Sequence, residues 1–209
     1  MKVSKLLFVL GVFASMAANA SAQTVVHNNG LPNGLNGLSI QPPYSAADDF
    51  SFASATSFDG IRFWNIQVDA NPTAAFIFWI YNDAGGHPGS PVTSGIAAPI
   101  QQAQGNGCCG MNRYQNDMFI GPHTLGAGTY WLALYDYVSV DIRYWETSAQ
   151  VGNAHYFQNG VSPWTELHNA ELAFQLTSAV VVATPEPASI VLLATGLLAV
   201  FGMARRRKR

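Results

Sequence analysis

Short apolar runs, each followed by a cluster of turn-forming residues, constrain the fold of this 209-residue chain more than any other feature. The most apolar run, residues 75–81, places large side chains on both alternating faces, as expected of a strand covered on both sides. Similar runs occupy residues 47–52, 61–68, 128–135, 138–145, 154–157 and 171–176. No part of the body keeps a 3.6-residue period for more than two turns. The pattern therefore predicts an all-β domain, an antiparallel β-sandwich or jelly roll.

Two details of this pattern predict local structure. Residues 128–135 and 138–145 are separated by a short turn near Asp136 and Tyr137, which predicts a β-hairpin. Residues 29–38 repeat Asn-Gly-Leu with one insertion, and Asn-Gly pairs readily adopt positive φ. We therefore expect a loop of successive turns there.

The N-terminus is typical of a secretory signal peptide. Lys2 and Lys5 precede an apolar stretch of about 13 residues, which is too short for a permanent span. Small residues then offer an A-x-A cleavage site that ends at Ala20 or Ala22. Residues 1–22 are thus predicted to pass the Sec translocon and to be removed by signal peptidase, leaving residues 23–183 as one exported domain.

The C-terminus combines an apolar segment with a basic end. Residues 188–204 contain no charge, and as a helix they would extend roughly 26 Å, the lower limit for crossing a bilayer core. Five cationic residues follow and should remain cytoplasmic: Arg205, Arg206, Arg207, Lys208 and Arg209. The sequence therefore predicts one transmembrane helix in the inner membrane, with the body on the periplasmic side.

Pro185, Glu186 and Pro187 stand immediately before this segment. Two prolines keep the stretch extended, so that a protease could bind it. The order of Pro-Glu-Pro, apolar helix and arginine cluster resembles the PEP-CTERM sorting signal of Gram-negative bacteria that produce exopolysaccharide. The resemblance covers residues 184–209 and implies recognition of the motif by an exosortase, which cuts there and releases or transfers the body. A plain membrane anchor with a proline-rich stem is the alternative.

The charge of the body narrows its partners. Residues 23–183 hold eleven acidic residues and three arginines, a net charge of about −8, and no lysine. This composition disfavours nucleic acid, which rewards clustered Lys and Arg. It permits calcium, for which Asp48, Asp49, Asp83, Asp136 and Asp141 offer carboxylates, although no EF-hand-type loop is present. Neither the five histidines nor the two cysteines have the ligand spacing of a zinc site, and no cofactor is expected.

Four stretches of the body resemble an exported module that occurs upstream of such tails. They are Ala-Asp-Asp-Phe at 47–50, Ile-Tyr-x-Asp-x-Gly-Gly-x-Pro-Gly at 80–89, Gly-Thr-Tyr-Trp-Leu at 128–132, and Glu-Leu-Ala-Phe-Gln-Leu at 171–176. The resemblance implies a fold and an exported location, and it assigns no activity.

Cys108 and Cys109 are adjacent and lie among glycines. In an oxidising compartment they are expected to form a bond, and the glycines would tolerate the distorted peptide of a vicinal disulfide. Intermolecular disulfides, free thiols and a metal site are the alternatives.

The tryptophans raise the question of a sugar-binding surface. Trp79 and Trp131 lie in the two most apolar runs, so we assign them to the core. Trp145 and Trp164 stand beside Glu146 and Glu166 and are the candidates for exposed glycan contacts.

No nucleophile elbow or phosphate loop is present, and we predict that the protein is not an enzyme. The sequence favours a structural protein of the cell envelope or extracellular matrix, associated with exopolysaccharide. A carbohydrate-binding module is the alternative, followed by a polysaccharide hydrolase.

Overall fold

The computed structural model describes residues 23–68, 75–138, 142–158 and 164–179, and within these ranges the protein is all-β, with no helix. Residues 23–180 form one compact unit. The strands of the described ranges are β1 (Gln23–Asn28), β2 (Pro32–Ser39), β3 (Tyr44–Phe52), β4 (Thr56–Gln67), β5 (Phe76–Asp83), β6 (Pro88–Ala97), β7 (Pro99–Asn106), β8 (Asn112–Leu125), β9 (Gly128–Asp136), β10 (Arg143–Ser148), β11 (Asn153–Gln158), β12 (Thr165–His168) and β13 (Phe174–Ala179).

The strands form two antiparallel sheets. Sheet A has β4 near its centre: β8 pairs with one edge of β4, while β13 and β10 share the other edge, and β7, β1 and β2 extend the sheet outward. Sheet B has the order β12-β11-β3-β9-β5-β6. Every pairing between these strands is antiparallel, which confirms the predicted all-β, antiparallel class.

The main core lies between the two sheets. Ile61 and Phe63 of sheet A and Phe76 and Phe78 of sheet B belong to one buried cluster. The rings of Phe63 and Phe76 meet edge to face with their centroids 4.9 Å apart. Because inward side chains of both sheets share this cluster, the sheets are layered as expected of a sandwich.

The predicted hairpin of residues 128–145 is wrong. β9 pairs with β3 and β5 in sheet B, whereas β10 pairs with β4 and β2 in sheet A. The chain therefore crosses from one sheet to the other between these strands. The crossing places Trp145 of β10 against Phe63 and Phe174 in the core. A hairpin of β9 and β10 would instead have kept Trp145 in sheet B.

Residues 29–38 were predicted to form only turns, and this too is wrong, because β2 occupies most of the segment. Gly34 has a φ of 77°, so the strand is irregular there. Gly37 lies opposite Glu146, and a Cβ atom at Gly37 would stand 2.8 Å from the carbonyl oxygen of Trp145. Glycine thus permits the close approach of β2 to β10, so this turn-rich sequence forms an edge strand.

The predicted signal peptide, sorting motif, transmembrane helix and basic tail lie outside the described residues. Among the residues that the structure does describe, no helix is long and apolar enough to cross a membrane.

Candidate functional site

The outward side of sheet B carries a second apolar cluster, separate from the main core. Buried Ala47, Trp131 and Ala133 form its floor, and half-buried Trp79, Tyr81 and Trp164 pack against them. We call Trp79, Tyr81, Trp131 and Trp164 the aromatic face.

Strand alternation explains the position of this face. In β5, Phe76, Phe78 and Ile80 are buried in the main core, so Trp79 and Tyr81 point to the opposite side of the sheet. Across the ladder Trp79 is paired with Ala133, which is paired with Ala47. The two small residues leave room for large rings to lie over the strands.

The rings contact one another edge to face. The centroids of Tyr81 and Trp164 are 6.0 Å apart at 77°, and those of Trp79 and Tyr135 are 6.4 Å apart at 70°. Such contacts fix ring orientation and add to the energy of burial. Burial also raises the pKa of Tyr81, so its hydroxyl stays protonated at neutral pH.

An exposed carboxylate ends the aromatic face. The indole Nε1 of Trp131 donates to Oδ1 of Asp83 at 2.9 Å, and the amides of Gly86 and Gly85 donate to the two carboxylate oxygens at 3.0 and 3.1 Å. The Trp131 hydrogen bond, helped by these amides, lowers the pKa of Asp83. The carboxylate therefore stays ionised and fixed at the rim of the face.

The same contact joins two of the stretches that were singled out in the sequence, residues 80–89 and 128–132. The other two also meet: the amide of Leu172 donates to Asp48 at 2.5 Å, and the rings of Phe50 and Phe174 are 6.2 Å apart. These stretches therefore connect β5 to β9 and β3 to the chain before β13. The contacts between these stretches therefore hold parts of the fold together.

The structure changes the assignment of the tryptophans. Trp131 is 2 % exposed, as predicted, but it and Trp79 belong to the outward cluster and not to the main core. The expectation that Trp145 is exposed is wrong: it is 0 % exposed, and its Nε1 donates to the carbonyl of Ala173 at 3.0 Å. Trp164 is half-buried and lies on the aromatic face. Sequence alternation in the 75–81 run pointed to a second covered face, but it did not reveal what covers it.

Three acidic side chains form a second group, and one of them, Asp49, is also the cross-strand partner of Trp131 on the aromatic face. One carboxylate oxygen from each of Asp48, Asp49 and Glu171 lies within 4.8 Å of the others. The amide Nδ2 of Asn29 bridges two of them, donating to Asp48 and to Glu171 at 2.8 Å each. Asp48 and Asp49 were predicted calcium ligands, and Glu171 was not among them.

Burial changes the protonation of this cluster. Burial, reinforced by the charge of Glu171, raises the pKa of Asp48 well above its ordinary value. Burial also raises the pKa of Glu171. Asp48 can therefore retain a proton and donate it to Glu171, while Asn29 satisfies both groups. Calcium remains a prediction.

The other predicted calcium ligands do not join this cluster. Asp83 belongs to the aromatic face, and Asp136 forms a fully buried ion pair with Arg143 at 3.0 Å. Asp141 lies outside the described residues.

The two cysteines lie in the turn between β7 and β8. Their Sγ atoms are 2.7 Å apart. Cys109 and Gly110 have φ values of 62° and 75°, which the turn requires. Burial raises the pKa of Cys108 to about 11, with the neighbouring Cys109 thiol adding to the shift. The predicted disulfide stays a prediction, since proximity alone does not make the bond.

The three arginines of the body all lie on sheet A, and each forms an ion pair. Arg62 bonds Asp117 at 2.5 Å, Arg113 bonds Glu146 at 2.5 Å, and Arg143 bonds Asp136. Arg113 contacts Glu146 with two of its nitrogens, which raises the pKa of the guanidinium. Glu146, which follows the predicted glycan contact Trp145, is thus a buried ion-pair partner within sheet A.

A comparison with known protein families identifies a sorting signal in the chain. Residues 183–208 match the PEP-CTERM protein-sorting motif. These residues therefore carry a PEP-CTERM sorting signal. Such a motif implies that the protein is exported and that an exosortase is its processing partner. The search of curated proteins and the search of solved structures found no match to this PEP-CTERM protein.

Proposed function

We propose that this PEP-CTERM protein is a non-catalytic component of the cell envelope or extracellular matrix that binds exopolysaccharide on its aromatic face. The observation that carries the proposal is a set of half-exposed indole and phenol rings, backed by a buried floor, on one side of a sheet. Flat rings of this kind stack on the apolar C–H faces of sugars, while neighbouring polar groups bond the hydroxyls.

The geometry supports binding in two ways. The rings are held by Ala47, Ala133 and by one another, so little side-chain freedom remains to be lost when a glycan binds. The exposed carboxylate of Asp83 is fixed at the rim by Trp131 and two backbone amides, and it offers an acceptor for sugar hydroxyls.

The route to the envelope follows from the two ends of the chain. The Sec translocon exports the body, signal peptidase cuts after Ala20 or Ala22, and residues 188–204 hold the protein in the inner membrane. An exosortase then recognises Pro185, Glu186 and Pro187 and releases or transfers the body. The mass of the protein recovered from the envelope and from the medium tests this route, and a surface-exposed protein that retains residues 188–209 would contradict it.

Binding is tested with residues 23–180, which form one compact unit, on the producer's own polysaccharide. We expect Trp79→Ala and Trp164→Ala each to weaken retention about tenfold or more, because a well-packed aromatic contact contributes upwards of about 1 kcal/mol. Phe119→Ala is the matched control, since Phe119 is a large aromatic residue of sheet A that is 72 % exposed.

The thermal midpoint of each variant shows whether it is folded. Equal retention of all the variants, or no retention of the unmodified domain, would overturn glycan binding and leave an inert structural role. Release of reducing sugar from the polymer would instead favour the hydrolase.

A further inference from the structure

We infer that the aromatic face selects uncharged polysaccharides and discriminates against acidic ones such as polyuronates. This inference rests on the proposed glycan binding and adds the class of ligand. Its basis is the distribution of charge around the face.

All the arginines of the body are paired with carboxylates, so none is available to bind an acidic sugar. Residues 23–183 contain three arginines and no lysine. Arg62 and Arg113 lie on sheet A, where each is paired with a carboxylate at 2.5 Å, and Arg143 is fully buried with Asp136. Sugar carboxylates and sulfates are ordinarily bound by guanidinium or ammonium groups in charge-assisted hydrogen bonds. The aromatic face provides no such group from either residue type.

Carboxylates instead surround the face. Asp83 accepts the indole hydrogen of Trp131 at one end. On β3, Asp49 is the cross-strand partner of Trp131. On β12, Glu166 is aligned through β11 with Ala47, and its side chain is 42 % exposed. Acids on three strands therefore surround one small group of rings.

Besides the carboxylates and tyrosines, histidines occur near the face along the chain or in strand register. His87 follows the turn that Asp83 caps, and His168 lies 3.3 Å from Glu166. His155 is the register partner of Ala47. Histidine side chains are ordinarily neutral at about pH 8, so an experiment at that pH isolates the effect of the carboxylates.

Like charges repel strongly when salt is low and weakly when salt is high. The screening length is about 10 Å at 0.1 M salt and about 3 Å at 1 M. An acidic polymer stacked on the aromatic face would bring its carboxylates close to those of the protein, whereas a neutral polymer would meet no such penalty.

The test uses polymers that share a backbone and differ in charge. Hydroxyethylcellulose is compared with carboxymethylcellulose, and dextran with carboxymethyl-dextran, by immobilised-polymer binding of residues 23–180 at about pH 8. The producer's polysaccharide, before and after chemical reduction of its carboxyl groups, forms a third pair. We expect each neutral polymer that binds to do so at least about tenfold more tightly than its acidic partner. This ratio should shrink at about 1 M salt.

A charge-removing variant sharpens the result. Asp49→Asn combined with Glu166→Gln should raise the ratio of acidic to neutral binding several-fold. Asp59→Asn is the matched control, because Asp59 lies on β4 of sheet A and accepts a hydrogen bond from the amide of Ala179. It should leave the ratio as it is.

The outcomes separate the two proposals. Equal binding of acidic and neutral polymers, or tighter binding of the acidic ones, overturns the selectivity and leaves glycan binding intact. Binding of none of the polymers overturns glycan binding itself, and the selectivity falls with it.

Discussion

The outward faces of the two sheets satisfy their polar and aromatic groups in different ways. On sheet A, Arg62 pairs with Asp117 and Arg113 with Glu146, so its charges are matched within the sheet. Trp64, directed to the same side, is 5 % exposed. On sheet B the outward rings lie over alanines, most of them stay partly exposed, and the carboxylate of Asp83 borders them. Two sheets built from similar alternating patterns can therefore present outward faces of very different chemistry.

The largest expected effect concerns the floor of the aromatic face. Trp131→Ala should lower the free energy of unfolding by about 3–5 kcal/mol, since it removes a buried ring and leaves a cavity under its neighbours. Trp131→Phe keeps most of the apolar volume and loses the bond to Asp83, so it should cost about 1 kcal/mol. Denaturant titration of residues 23–180 measures both. A smaller loss for Trp131→Ala than for Trp164→Ala would show that the face is not anchored as described.

The ion pairs of sheet A give the next effect. Arg113→Met should destabilise the domain by about 2 kcal/mol, because the side chain of Glu146 is fully buried and would lose its main partner. Arg62→Met should cost less than about 1 kcal/mol, since the side chains of Arg62 and Asp117 are both partly exposed. Adding Glu146→Gln to Arg113→Met should recover part of the loss. If the two arginine variants lost equal stability, burial would not be what distinguishes the pairs.

A smaller effect concerns pH and the Asp48–Glu171 pair. Because burial raises the pKa of Asp48 in the folded protein, folding favours its protonated form. Its stabilising contribution is complete below the ordinary pKa and is lost as pH rises through the higher, folded-state pKa. Asp48→Asn mimics the protonated acid, so we expect about 1 kcal/mol more stability above neutrality and a flatter pH profile.

Burial lowers the pKa of His27, so protonation of His27 opposes folding. At lower pH, His27 therefore changes stability in the opposite direction to Asp48. The difference between the parent and the variant at each pH isolates Asp48. A parent domain whose stability rises steadily with pH above neutrality would contradict the shared proton.

The smallest effect belongs to the Cys108–Cys109 turn. If a vicinal disulfide forms after export, the protein should be about 2 Da lighter before reduction, as two thiols lose two protons and two electrons to an oxidised disulfide of the export compartment. The ring encloses almost no chain, so reduction should change stability by less than about 0.5 kcal/mol. Mass spectrometry under denaturing conditions checks the bond. A dimer of twice the mass, or a thiol pair that reacts with an alkylating reagent, would point to the alternatives.

Strong alternation made part of this fold predictable. The runs that became β3, β4, β5, β9 and β11 are rich in aromatic or β-branched residues and were predicted as strands. β8, the longest strand, was not predicted, because its first half consists largely of amide and charged residues. Within the structure Asn116 donates to Asn65, which donates to Gln67, so these buried amides satisfy one another. Such pairing depends on tertiary contacts that no local pattern reveals.

The candidate site was only partly predictable for the same reason. Trp164 lies half-buried on the aromatic face and its glycan contact stays a prediction, whereas the expectation that Trp145 is exposed was wrong. The adjacent Glu146 suggested an exposed position, whereas Glu146 is itself buried by Arg113. Trp79 was assigned to the core because a run that is apolar on both faces cannot show that one side is a small outer cluster. The sorting motif needed no tertiary information, since its order along the chain is the whole pattern.

The first and last described strands are hydrogen-bonded neighbours, with Gln23 opposite Ala179. If the chain leaves a pore N-terminus first, β1 must therefore stay unpaired with β13 until β13 has also emerged. Pairing of this edge joins the two ends of the domain in sequence, so it can be completed only when the whole domain is present. The two ends of the described domain therefore share one edge of sheet A, so a tag attached at one end lies close to the other.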